Sequence, residues 1–188
     1  MPEITETFYT SDPREWREWL ASNWDKKSEI WLILPKKGSG KPRSSYNDSV
    51  EQALCFGWID SIQKPFGDDS TAQRFTPRKT KGHYSQPNIE RLRYLAATRQ
   101  LLPHVLEEVR PELEKEFVFP DDIMRAIQGN QAAYQNFQAF SPTYRRLRVA
   151  FVAAARGRTD EFSKRLHSLI ASLEKGKQVG YGGIEKYY

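Results

Sequence analysis

Residues 55–88 read CFGWIDSIQKPFGDDSTAQRFTPRKTKGHYSQPN, and the structure assigned to this stretch decides the fold. Ile59 to Lys64 and Gln73 to Arg78 have the composition of strands, and PFGDDST between them supplies turn residues, so the stretch predicts a β-hairpin. Upstream, Val50, Ala53, Leu54 and Gly57 recur at helical spacing from Asn47, and the helix should stop around Gly57. Downstream, a helix should begin after Ser85-Gln-Pro-Asn and run through Ile89, Leu92, Leu95 and Ala96.

Further out, Glu29 to Leu34 is an apolar run that predicts a buried strand ending at Pro35. The basic loop KKGSGKPRSS, Lys36 to Ser45, lacks the spacing of a phosphate loop. An N-terminal helix is expected from a Ser11 cap and Pro13, with Trp16, Trp19 and Leu20 on one face and Phe8 stapled onto it. Helix, strand, helix, strand, strand, helix predicts an α+β fold, a small antiparallel or mixed sheet covered by helices.

The rest reads as helical. Pro120 opens a helix through Ile123, Met124 and Ile127 that Gly129-Asn130 breaks. Ser141-Pro142 caps a second, with Tyr144, Leu147 and Phe151 on one face and Arg145 and Arg148 on another. A third runs from about Asp160 to Glu174 and ends at Gly176. The expected division is an α+β region over 1–115 carrying a polar pocket and a helical region over 116–188 with a Gly/Tyr tail.

The 188 residues carry a net charge of +5, which favours an acidic or phosphate-bearing partner. Charge is unevenly distributed. Glu107 to Asp122 is rich in carboxylates, whereas Ile123 to Thr159 has no acid and carries Arg125, Arg145, Arg146, Arg148, Arg156 and Arg158. Two oppositely charged patches that meet each other are the plainest reading. No apolar run approaches the ~20 residues of a membrane span, and the N-terminus lacks a leader pattern, so a cytoplasmic protein without membrane insertion is expected. One cysteine and three scattered histidines predict neither a disulfide framework nor a metal site, and no motif calls for a cofactor. Cys55 and the five tryptophans read as core.

Within the hairpin, strand alternation would align Arg74, Thr76 and Arg78, two guanidinium forks and a hydroxyl suited to a phosphate or carboxylate. The alternative is a solvated edge strand, which Pro77 also fits. Asp60 should pair with Arg74 or Arg78, either as a structural ion pair or to orient a ligand. Asn88 could orient the same ligand, with Trp58 and Tyr84 as aromatic walls, although Ser85 or Asn88 also suits a helix cap. No nucleophile and base are placed together, so catalysis is not the leading expectation; proton transfer by Asp60 or His83 stays as an alternative.

ALCFGWID at 53–60, RFTPRK at 74–79, YSQPN at 84–88 and FSPTYRRLRVAFVAAA at 140–155 resemble the YdeI/OmpD-associated, or bacteriocin-protection, family. EWREWLASNW and EIWLILPKK resemble that pattern as well, so the resemblance extends over nearly the whole chain. Tyr84 stands where that family commonly has tryptophan, and Gln52 where it has glutamate. The resemblance implies a bacterial protein with a role in bacteriocin or stress tolerance, and supplies no reaction. The leading expectation is binding of an anionic small molecule. The alternative is a protein or nucleic-acid interaction module using the basic helical face and the tail tyrosines Tyr181, Tyr187 and Tyr188, with nucleic acid the less favoured partner.

Overall fold

In the computed structural model, which describes residues 3–79, 82–180 and 183–188, the hairpin stretch forms half of a four-stranded mixed sheet. The chain divides into two units, Met1–His83 with Leu92–Leu113, and Tyr84–Arg91 with Glu114–Tyr188. The first contains β1 (Thr7–Tyr9), α1 (Pro13–Asn23), β2 (Ile30–Pro35), α2 (Tyr46–Cys55), β3 (Trp58–Phe66) and β4 (Ser70–Pro77). Lateral order is β1-β2-β4-β3, with β1 parallel to β2 and the remaining pairs antiparallel. The fold is α+β, as expected.

All six residues of β2 are buried, which suits a central strand with both faces covered. On one face α1 lays Trp16 against Phe75, with ring centroids 5.3 Å apart. Phe8 in β1 stacks on Trp16 and packs at a tilt against Trp19, so the expected staple forms. The helix cap is Asp12, not Ser11: its Oδ1 accepts from the Arg14 amide at 2.8 Å, a bond a carboxylate makes more strongly than a hydroxyl. On the opposite face Trp31, Ile33 and Ala72 form a smaller cluster covered by Ile4 and Ile62.

Two expectations about the hairpin change. Its turn is shorter than PFGDDST, because β3 continues to Phe66 and β4 begins at Ser70. More consequentially, β4 lies between β2 and β3, so it is no edge strand, and its cations do not serve as edge protection. The short β1 at one edge was not anticipated; three residues carry too little periodicity to register. Gly57 has φ of +73° after α2, a conformation that costs glycine nothing, and a Cβ there would stand 3.4 Å from Val105.

Helix α3 (Gln86–Ala97) contributes its first turns to the second unit and Leu92 and Leu95 to the first, where α4 (Pro103–Glu114) also lies. The second unit adds α5 (Asp121–Gln128), α6 (Gln131–Ala139), α7 (Pro142–Ala153) and α8 (Thr159–Glu174). Asn130, expected only as a break, is the cap of α6, its Oδ1 accepting from the Ala133 amide at 3.0 Å. Ser141 caps α7 in the same way at 3.1 Å. Their apolar stripes meet in one core around Ile123, Ile127, Phe137, Val149, Leu169 and Leu173.

Candidate functional site

The hairpin residues separate by face. Register places Asp60 opposite Phe75 and Arg74 opposite Trp31, and successive residues of β4 point to opposite sides. Asp60 therefore shares the α1-covered face, where it accepts from the Tyr46 hydroxyl at 2.5 Å. The expected pairing of Asp60 with Arg74 is replaced by a pair between Arg74 and Glu29, with Nε donating to Oε2 at 2.8 Å. Trp58 is 1% exposed, donates its indole N–H to the Trp24 carbonyl at 3.0 Å and packs edge-on against Trp19. It belongs to the core rather than to an open wall.

Thr76 is half-buried opposite Ile59, on the same side of β4 as Arg74. Arg78 follows the strand: its amide bonds to the Gly57 carbonyl, and Nη2 donates to the carbonyls of Gly82 at 2.7 Å and His83 at 3.2 Å. Lys81, the last cation of the run, lies outside the described residues. Tyr84 and Asn88 fall in the second unit, and Asn88, inside the first turn of α3, accepts from Arg91 at 2.9 Å.

Glu29 titrates abnormally. The Thr5 hydroxyl and then the Arg74 guanidinium bond to it and hold its carboxyl below the usual glutamate range. A depressed folded-state value stabilises the protein above the unfolded-state value and ceases to do so as pH falls through the folded one. Glu29→Gln should therefore be less stable than wild type at neutral pH, and the gap should close in acid. Urea midpoints over an acidic pH series check this; a pH-independent gap would show that the charge of Glu29 contributes nothing. Cys55 is fully buried, and burial pushes its thiol up, as expected of a core cysteine.

The basic helical face is largely occupied by partners within its own unit. Arg146 makes a bidentate pair with Glu90 at 2.6 and 2.8 Å, and Arg156 another with Asp122 at 2.8 and 2.6 Å. Asp122 belongs to the acidic run, so at that point the two charged patches do meet. Of the tail tyrosines, Tyr181 lies outside the described residues. Tyr188 packs edge-on against Tyr144 at 5.0 Å and donates to the Val179 carbonyl at 3.2 Å; burial pushes its phenol up to about 12.

Arg148 departs from expectation: it is 4% exposed, inside the buried stripe of α7. The signal was present in the spacing, since Tyr144, Arg148 and Val152 follow each other at i, i+4, i+8. Its side chain lines an open pocket of about 520 Å³ built by α7, α8 and the segment after α8. Lys164, Arg165 and Ser168 line it from α8, and Val179 and Gly180 from the segment that follows. The Phe151 ring carries two guanidiniums, Arg165 at 3.8 Å and Arg148 at 5.0 Å from its centroid. Arg165 also donates to Glu161 at 2.7 Å and to the Phe151 carbonyl at 2.9 Å, and Arg148 to the Gly180 carbonyl at 3.4 Å. Three cations, a hydroxyl and an aromatic ring can hold an anion through charge-assisted hydrogen bonds. Among the described residues no group of three or more His, Cys, Asp or Glu could hold a metal ion, and no helix is long and apolar enough to cross a membrane.

The described residues thus form an α+β unit with a mixed sheet and a helical unit with a cation-lined pocket. Residues 8–108, more than half of the chain, match the family model described as Domain of unknown function (DUF8412), and the chain belongs to that family. Residues 116–176 match the model described as Bacteriocin-protection, YdeI or OmpD-Associated. The GWID and RFTPR motifs thus lie within the first match, whereas the basic helix α7 and the whole of α8 lie within the second. No curated protein and no solved structure matches the chain.

Proposed function

We propose that this bacteriocin-protection-related protein binds an anionic small molecule in the bacterial cytoplasm, and that the ligand sits in the pocket of the helical unit. One observation carries the reading: Arg148, almost wholly buried, lines an open pocket together with Lys164 and Arg165. Cations that converge on one opening favour a ligand with an anionic group, because each can give it a charge-assisted hydrogen bond. Arg74 pairs with Glu29 and Arg78 donates to two backbone carbonyls, much as Arg165 pairs with Glu161 and Arg148 donates to a carbonyl, so the preference for the helical unit rests on the convergence of three cations on one opening.

Isothermal titration and thermal-shift measurements with inorganic phosphate, citrate, benzoate and a nucleoside monophosphate test this at two salt concentrations. At least one should bind the wild type and weaken about tenfold or more in Lys164→Gln, because a hydrogen bond to a charged group contributes ~1.5–3 kcal/mol. Lys164 is exposed, so its substitution leaves the core intact. Binding by none of them, or binding that Arg78→Ala abolishes and Lys164→Gln does not, would overturn the assignment.

A further inference from the structure

The first unit carries a second opening with different chemistry. On the sheet face opposite α1, Ile4 and Ile62 pack against Trp31, Ile33 and Ala72. A cleft of about 470 Å³ opens at the end of β2, with Ile33, Pro35 and Ser70 among its lining. Tyr9 and Phe66 also line it, 49% and 39% exposed, two of the few large apolar side chains that the described surface leaves open. Tyr9 stands in β1 and Phe66 in β3, the two edges of the sheet, so β2 and β4 run between them. At the usual strand spacing these edges are roughly 14 Å apart. The Tyr9 hydroxyl is committed to the Pro42 carbonyl at 2.7 Å, which fixes the ring and leaves its face as the part on offer.

The polar lining is as informative. Lys41 and Asp69 form an ion pair at 2.7 Å, both substantially exposed, and they are the only charged residues among those that line the cleft. The Ser70 hydroxyl donates to Asp69 at 3.0 Å. A net anion would have to face Asp69 and a net cation Lys41, so a ligand of either sign gains from one group and loses to the other. An uncharged ligand with adjacent hydroxyls gains from both: one hydroxyl donates to the carboxylate while its neighbour accepts from the ammonium. The same ligand needs an apolar face for the two rings. The C–H face of a pyranose is weakly positive and suits the negative face of an aromatic ring. We infer that this cleft binds a neutral saccharide, with Tyr9 and Phe66 as flanking stacking surfaces and the Lys41–Asp69 pair reading a vicinal diol.

The test is a nitrogen–proton NMR titration of the full chain with cellobiose, maltose and diacetylchitobiose, with inorganic phosphate as the contrasting probe. Saturable shifts centred on Tyr9, Phe66 and Ser70 are expected with at least one disaccharide. Phe66→Ala and Tyr9→Ala should each weaken that binding by up to about tenfold, the scale of one aromatic contact. Tyr9→Phe, which keeps the ring, should bind within about threefold of wild type, a difference of roughly 0.6 kcal/mol. Unchanged shifts elsewhere in each variant's spectrum establish that it is folded. The inference fails if no disaccharide gives a saturable shift, if Phe66→Ala binds as wild type does, or if phosphate saturates the cleft instead.

Discussion

Glu90→Ala should destabilise the helical unit by about 3–5 kcal/mol, the scale of breaking one side of a buried ion pair. The Glu90 side chain is 3% exposed, and both its oxygens accept from Arg146, which is itself only 20% exposed. Gln86 adds a third hydrogen bond at 2.7 Å. Removing the carboxylate leaves the guanidinium desolvated beside an apolar methyl group, and that desolvation dominates the loss. Replacing both partners removes the uncompensated charge, so the Glu90→Ala, Arg146→Ala double variant should lose less than the sum of the singles. Urea unfolding followed by far-ultraviolet circular dichroism measures all three. A single-variant loss below about 1 kcal/mol would place the pair with ordinary surface ion pairs.

Trp16→Ala should cost the first unit about 3–5 kcal/mol, from lost burial and the cavity that remains. The indole is 1% exposed and touches three rings: Phe8 at 6.0 Å, Trp19 at 5.4 Å and Phe75 at 5.3 Å. Its N–H donates to the Ser49 carbonyl in α2 at 3.0 Å, so one side chain joins α1, α2 and β4. Trp16→Phe keeps much of the apolar area and gives up that hydrogen bond, and should cost clearly less. All five tryptophans belong to this unit, so the fluorescence of the remaining four reports its unfolding directly. An unshifted denaturation midpoint in Trp16→Ala would mean that the stacked cluster does not hold the sheet to its helices.

The elements that could be read in advance are those whose signal is local. The capping of α7 by Ser141, the unbroken apolar β2 and the stop after α2 near Gly57 each depend on a few consecutive residues. Helix α6 was hidden because Asn130 reads as an end to α5 until its second role as a cap is seen. The polar side chains were harder. Trp58, Asp60, Arg74 and Thr76 lie close in sequence, but the pleat sends them to two faces. Arg148 and Arg165 are 17 positions apart in sequence, on separate helices, yet both guanidiniums lie against the Phe151 ring.

By itself the sequence determined the class of the fold, most of its helices, the central apolar strand, the buried thiol and the family resemblance. All of these follow from periodicity and capping within windows of a few turns, where neighbouring residues decide the outcome. Strand order, the inward position of β4, the partner of each arginine and the two openings were decided only in three dimensions. A charged side chain settles on the opposite charge that the packed backbone brings near. For Arg74 and Arg146 that carboxylate lies 45 and 56 residues away, a separation over which local pattern carries no information.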